Sequence, residues 1–244
     1  QECEKIDWNL AYVSMPMFIK FINTRQFQDN LLIGFVYSIG SLTESVVKSA
    51  TSSFIKQVKI IEQENPLDFK FLIDKLLNLS RVHLKIDRLS CSLIKTVDLL
   101  IQNDLFSNPI LTEDINYPLE FLTLFLEHVK LTKDMQRLIS YTDFFCDMLQ
   151  FDDEKIRKST MVRLMIQLCH QYSRIRKITA SKLFEALINL PDIFESDDDN
   201  NECISLLTET NWDQSIDTIR AIRNRICELT NTPKPVLKTN SQSN

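Results

Sequence analysis

An all-α fold, a HEAT/armadillo-like α-solenoid of about five stacked helix pairs, is predicted by three features of this 244-residue chain. The first is an internal echo. Residues 155–168 (KIRKSTMVRLMIQL) and 174–187 (RIRKITASKLFEAL) agree at Ile156/Ile175, Arg157/Arg176, Lys158/Lys177, Thr160/Thr179, Leu164/Leu183 and Leu168/Leu187. Their offset, about 19 residues, is one four-turn helix plus a tight connection. Second, apolar residues recur at helical spacing, as at Met161, Leu164, Met165 and Leu168, and no stretch keeps strand-like alternation. Third, the only glycines are Gly34 and Gly40, in one helix-like run. Dinucleotide and P-loop folds need glycines at strand–helix turns, so these are excluded. Similar amphipathic helices in succession cannot each close a core and must bury their faces on one another. Such a molecule works by presenting surface.

The elements follow in order. Pro16 fits the first turn of a helix running to about Asn23, where its missing N–H costs nothing. A second helix is predicted from Phe27 to Ile39. Ser41 and Glu44 have capping-box spacing for a third, to about Ile61. Pro66 opens a helix to Leu79, and Asp87 caps one reaching Gln102. Turn formers Asn103, Asp104, Ser107, Asn108 and Pro109 mark a loop over 103–116. Beyond Pro118, Leu122, Phe125, Leu126 and Val129 share a helical face up to Leu131, and Asp134 begins a helix to about Leu149. The echoing pair comes next, the second member capped by Ser173, and Pro191 ends the run. The acidic stretch 196–201 (SDDDNN) reads as a solvated loop, before helices near 202–209 and 214–229. Residues 233–244 offer nothing to bury and read as a disordered tail.

A net charge of −5 argues against nonspecific nucleic-acid binding. Cys3, Cys91, Cys146, Cys169, Cys203 and Cys227 form no CxxC pair, and five fall within apolar-periodic helices as small buried hydrophobes. That pattern fits a reduced cytosol rather than a zinc site or a disulfide framework. The longest apolar run, 31–42, falls short of the roughly 20 residues that span a bilayer. The chain shows no secretory leader and does not open on Met, so its start reads as a trimmed or internal boundary.

The run 207–235 (LTETNWDQSIDTIRAIRNRICELTNTPKP) resembles the end of tubulin-folding cofactor D, a tubulin-specific chaperone family. The matching positions are Trp212, Asp213, Arg223, Asn224, Arg225, Ile226, Cys227, Glu228, Leu229, Pro233, Lys234 and Pro235. Further matches are Ile175 to Ser181, GSLTES at 40–45, Leu93 to Leu100, and Leu168 to Tyr172. They keep one order over 30–235, with 1–25 a poorly matching lead-in and 26–232 reading as a C-terminal α-solenoid domain. The resemblance implies part of a long HEAT-repeat protein, a non-catalytic chaperone without cofactors or metal. It further implies binding of β-tubulin released from the chaperonin, and work with tubulin-folding cofactors E and C and a small Arf-like GTPase. The family stimulates GTP hydrolysis by tubulin, and its setting is the cytoplasm, the microtubule cytoskeleton and the centrosome.

Two groups are candidates for partner binding. Arg157, Lys158, Arg174, Arg176 and Lys177 form a basic set on the echoing helices that would steer an acidic partner. The alternative is packing, since stacked repeats often place an Arg early in the second helix, where it bonds carbonyls or an Asp of the adjacent turn. Reversing Arg157 and Arg176 to Glu separates the two: capture alone weakens on the first, and stability falls as well on the second. Arg220, Arg223, Asn224 and Arg225 make the other group, either a partner contact or the polar face of an end cap. There Ile216, Ile219, Ile222 (or Arg223) and Ile226 pack inward, and Trp212 is a core anchor. Cys169–His170 cannot be a catalytic dyad, because helix neighbours point about 100° apart. His83 and His128 are isolated, and the run 197–199 lacks the glycine and distal Glu of a calcium loop. A generic HEAT adaptor is the competing function, and a GTPase is the competing enzyme.

Overall fold

The computed structural model describes residues 7–130 and 132–235, leaving aside the side chains of residues 87 and 88. Among the described residues there are eleven α-helices, four short 3-10 turns and no strand. Cys3, Leu131 and most of the predicted tail lie outside them. Two compact units are present, 1–132 and 133–244, where the sequence suggested one domain over 26–232.

The first unit holds α1 (Ala11–Phe18), α2 (Gln28–Ile39), α3 (Glu44–Glu64), α4 (Pro66–His83), α5 (Asp87–Gln102) and α6 (Tyr117–Val129). Helix α3 packs on α1, α2 and α4, while α2 lies on α5 and α4 on α6. Phe35 and Phe54 stack across α2 and α3 at 6.2 Å. The predicted loop 103–116 is instead partly wound, with 3-10 turns at Leu105–Ser107 and Pro109–Leu111. It turns inward because Leu105, Phe106 and Leu111 are buried, Phe106 meeting Phe121 edge-on at 5.6 Å.

The second unit holds α7 (Met135–Met148), α8 (Glu154–Leu168), α9 (Ser173–Ile188), α10 (Asp197–Glu209) and α11 (Ile216–Leu229). Helices α7, α8 and α9 pack on one another, α10 lies on α9 and α11, and α11 reaches α8. The echoing segments therefore lie side by side. Their shared positions Ile156/Ile175, Thr160/Thr179, Leu164/Leu183 and Leu168/Leu187 are all buried. This is the repeated core stripe of an α-solenoid of stacked helix pairs.

Several helix starts differ from the sequence reading. Helix α1 begins at Ala11, with Pro16 inside it, and gives way to a 3-10 turn at Ile19–Phe21. Proline leaves one carbonyl a turn earlier without its helical partner, consistent with so short a helix. Thr43, not Ser41, precedes α3, because Ser41 Oγ accepts the Thr43 N–H at 3.1 Å and is spent on the turn. Ile86 and Tyr172 occupy the cap positions assigned to Asp87 and Ser173, which become the first helical residues. Asp134 caps as expected, accepting the Arg137 N–H at 2.8 Å.

The largest correction concerns the acidic stretch, which is the first turn of α10 rather than a loop. Ser196 Oγ accepts the Asp199 N–H at 3.1 Å and donates to the Asp199 carboxylate at 2.8 Å. Asp197, Asp198 and Asp199 then sit at the positive end of the helix dipole, where carboxylates stabilise helix.

Gly40 has a reason beyond backbone freedom. A Cβ there would lie 2.9 Å from the Ser92 Cα and nearer still to its side chain, so the residue lets α2 close onto α5.

Candidate partner-binding surface

The echo repeats an arginine as well as a core stripe. Arg157 is 21% exposed. Its Nε donates to the Leu149 carbonyl at 3.2 Å, and its Nη1 reaches Asp192 at 2.7 Å and Asp152 at 3.3 Å. Arg176 is only 4% exposed. Its guanidinium donates to four carbonyls: Trp212 at 2.7 Å, His170 at 2.9 Å, Gln214 at 3.2 Å and Gln171 at 3.4 Å. Planar, permanently charged arginine fits this use, since one side chain satisfies several buried oxygens. The two aligned arginines thus tie helix starts to neighbouring loops, the packing arrangement.

The other basic residues of the pair face outward. Lys158, Arg174 and Lys177 are exposed. Lys177 reaches Asp213 at 2.7 Å, and the Lys177 hydrogen bond, then that of Ser173, holds the Asp213 carboxyl below its ordinary range. Both partners are half exposed, so the pair is screened and contributes little stability. Among the described residues, Lys158 and Arg174 make no ion pair. Lys155, aligned with Arg174, is exposed too. Sequence reasoning missed it, although the gapless alignment placed it.

On α11 the four candidates separate similarly. Arg225 grips Glu202 through two bonds of 2.6 Å and touches Glu228 at 3.3 Å. The Glu202 hydrogen bond raises the Arg225 guanidinium further above its ordinary value, and the same bond holds Glu202 down. Arg220 pairs with Asp217 at 2.7 Å. Arg223 turns inward at 6% exposure beside Ile219, Ile226 and Cys227, taking the position that Ile222 shared in the sequence reading. Asn224 is half-buried. Trp212 is buried as an anchor, its indole N–H donating to the Leu207 carbonyl at 3.1 Å.

Nothing at Cys169–His170 is built for nucleophilic chemistry. Burial raises the Cys169 thiol against the opposing charges of Arg223, Arg220 and Arg176. Burial also lowers His170, reinforced by Arg163 and Arg176. His170 Nδ1 accepts the Tyr172 N–H at 3.2 Å. An activated pair needs the opposite shifts. A cleft of about 310 Å³ runs between the start of α8 and the end of α11, but Asp152 and Glu154 balance Arg157 and Lys158 in its wall. Among the described residues no three His, Cys, Asp or Glu side chains gather as a metal site, and no helix is long and apolar enough to cross a membrane. The described cysteines are free thiols, with Cys203 pushed up to about 12 by burial.

A surface-presenting, stacked-helix protein is the class these features define. The family described as tubulin folding cofactor D C terminal matches residues 1–137. The chain belongs to that family, and its general role is that of a chaperone-type tubulin folding cofactor. The matched span takes in residues 1–25 and the GSLTES segment, while the similarities at 168–181 and 207–235 lie beyond it. No solved structure matches the chain.

Proposed function

We propose that this chain contributes binding surface to tubulin folding cofactor D, with the outward ridge Lys155, Lys158, Arg174 and Lys177 facing β-tubulin. The supporting observation is that the echo divides its basic residues. Arg157 and Arg176 are consumed internally, whereas Lys158 and Arg174 stay exposed and make no ion pair among the described residues. Such a ridge steers and orients an acidic partner.

In this reading 26–232 acts as one C-terminal functional domain. It helps hold β-tubulin after the chaperonin and masks apolar interface surface until the heterodimer assembles. It works beside cofactors E and C and a small Arf-like GTPase, stimulating GTP hydrolysis by tubulin without hydrolysing nucleotide itself. Its setting is the cytoplasm, with cytoskeletal and centrosomal association. A pull-down from cytosol with the folded chain tests this. Enrichment of β-tubulin supports it, whereas its absence, with other partners retained, marks a generic helical adaptor. Saturable GTP binding by the isolated chain would overturn the non-catalytic reading.

A further inference from the structure

One buried polar side chain of the first unit opens into a cleft with nothing to bond. Gln28, the first residue of α2, is 4% exposed, and its side-chain amide makes no hydrogen bond among the described residues. Neither amide atom is sealed, unlike the buried partnerless atoms elsewhere in the molecule, so the amide keeps a route to the outside. That route is a cleft of about 360 Å³ between the turn before α2 and the start of α4. Leu67, 72% exposed, and Phe71 form its apolar wall. Asn65 and Asp68, also lining it, satisfy each other: Asn65 Oδ1 accepts the Asp68 N–H at 3.4 Å, and its Nδ2 donates to the Asp68 carboxylate at 2.8 Å. Arg25 offsets the charge of Asp68, so the cleft favours no charged ligand.

We propose that this cleft docks an extended, uncharged segment of a partner protein, seating one bulky apolar side chain on Leu67 and Phe71 while a main-chain peptide group bonds the Gln28 amide. A glutamine amide presents N–H donors and an oxygen acceptor together. A peptide group, with one donor and one acceptor, is its complement. A carboxylate would meet the donors and be repelled by the oxygen, and an ammonium would do the reverse. A buried amide without a partner is costly, and an arriving peptide group recovers that cost. The volume falls at the low end of ligand sites, ~300–1,000 Å³, which suits one side chain with its flanking peptide groups rather than a whole helix. The proposal rests on the chain being a surface-presenting module, but it uses no residue of the α8–α9 ridge.

The test is protein-observed NMR of the whole isotope-labelled chain, titrated with N-acetyl-leucine N-methylamide, a single apolar side chain between two peptide groups. The Gln28 side-chain amide signals, assigned by their absence in Gln28→Met, and the backbone signals of 67–71 should shift and saturate with a Kd of about 1 mM. N-acetylglycine N-methylamide, which lacks the side chain, should bind at least about five-fold more weakly, and so should the leucine probe to Gln28→Met or Leu67→Ser. Leu67→Ser alters an exposed position and should keep the wild-type thermal midpoint, so its lost binding is not unfolding. No saturable shift at these residues, an equal response to the glycine compound, or retained binding in both variants overturns the proposal. Tighter binding of N-acetyl-leucine as the free acid also overturns it, because the cleft then reads a carboxylate. Reversing the ridge should leave this titration unchanged, so loss of tubulin capture and loss of the peptide cleft are separable.

Discussion

Replacing Arg176 with Ala removes four hydrogen bonds from one buried guanidinium, to the carbonyls of Trp212, His170, Gln171 and Gln214. A bond from a charged donor contributes about 1.5–3 kcal/mol, and a stranded buried carbonyl costs about 1–3 kcal/mol more. The buried 2.7 Å bond to Trp212 carries most of this, while the other three are part-buried and their carbonyls recover water. The expected loss is about 3–4 kcal/mol. Arg157→Ala should cost about 1–2 kcal/mol, because it loses one carbonyl contact and two pairs whose acids, Asp152 and Asp192, are 97% and 55% exposed. Lys158→Ala, on the open face, should stay within about 0.5 kcal/mol. Urea unfolding monitored by far-ultraviolet circular dichroism and by tryptophan fluorescence measures all three. A cost below about 1 kcal/mol for Arg176→Ala, or a larger one for Lys158→Ala, would refute the inward assignment of the repeated arginine.

Other expectations follow from single positions. Gly40→Ala should destabilise by about 2 kcal/mol or more, because its Cβ would press on the Ser92 backbone. Gly34→Ala should stabilise by about 0.5–1 kcal/mol, having open space and a helical interior position; thermal melts of the two variants check the contrast. Ser196→Ala should cost about 1 kcal/mol and raise hydrogen exchange in the first turn of α10, whereas a true loop would show no change. His170 has a folded pKa below the ordinary 6.5, so its contribution is whole above pH 6.5 and declines as pH falls through the folded value. Stability curves from pH 7 to 5 should therefore flatten in His170→Asn.

Much of the helical order was legible because burial in stacked pairs imprints a 3.6-residue period, and the echo exposed the repeat directly. Leu164/Leu183 and Leu168/Leu187 were readable as core by type and spacing alone. For Arg157 and Arg176 the sequence offered both directions, toward a partner or packed onto carbonyls or an Asp, but not which acceptors they meet. Each adjoins a buried isoleucine, and what draws Arg176 inward is the carbonyl of Trp212, 36 residues away. Local sequence holds no sign of that acceptor. Arg223 was readable only as an alternative to Ile222 on the inward face, and the structure buries it while Ile222 stays half-buried. The acidic run misled through composition: its charge suggests solvent, but Ser196 followed by three aspartates is also a helix start. The partition at residue 132 leaves no composition shift to find, because helical periodicity runs through both units.

The ridge itself is tested by reversing Lys158, Arg174 and Lys177 to Glu together and measuring β-tubulin affinity alongside the thermal midpoint. The account predicts affinity falling by about ten-fold or more, more steeply at low salt, with the midpoint shifted by no more than about 3 °C. Unchanged tubulin affinity in a well-folded triple variant would contradict it.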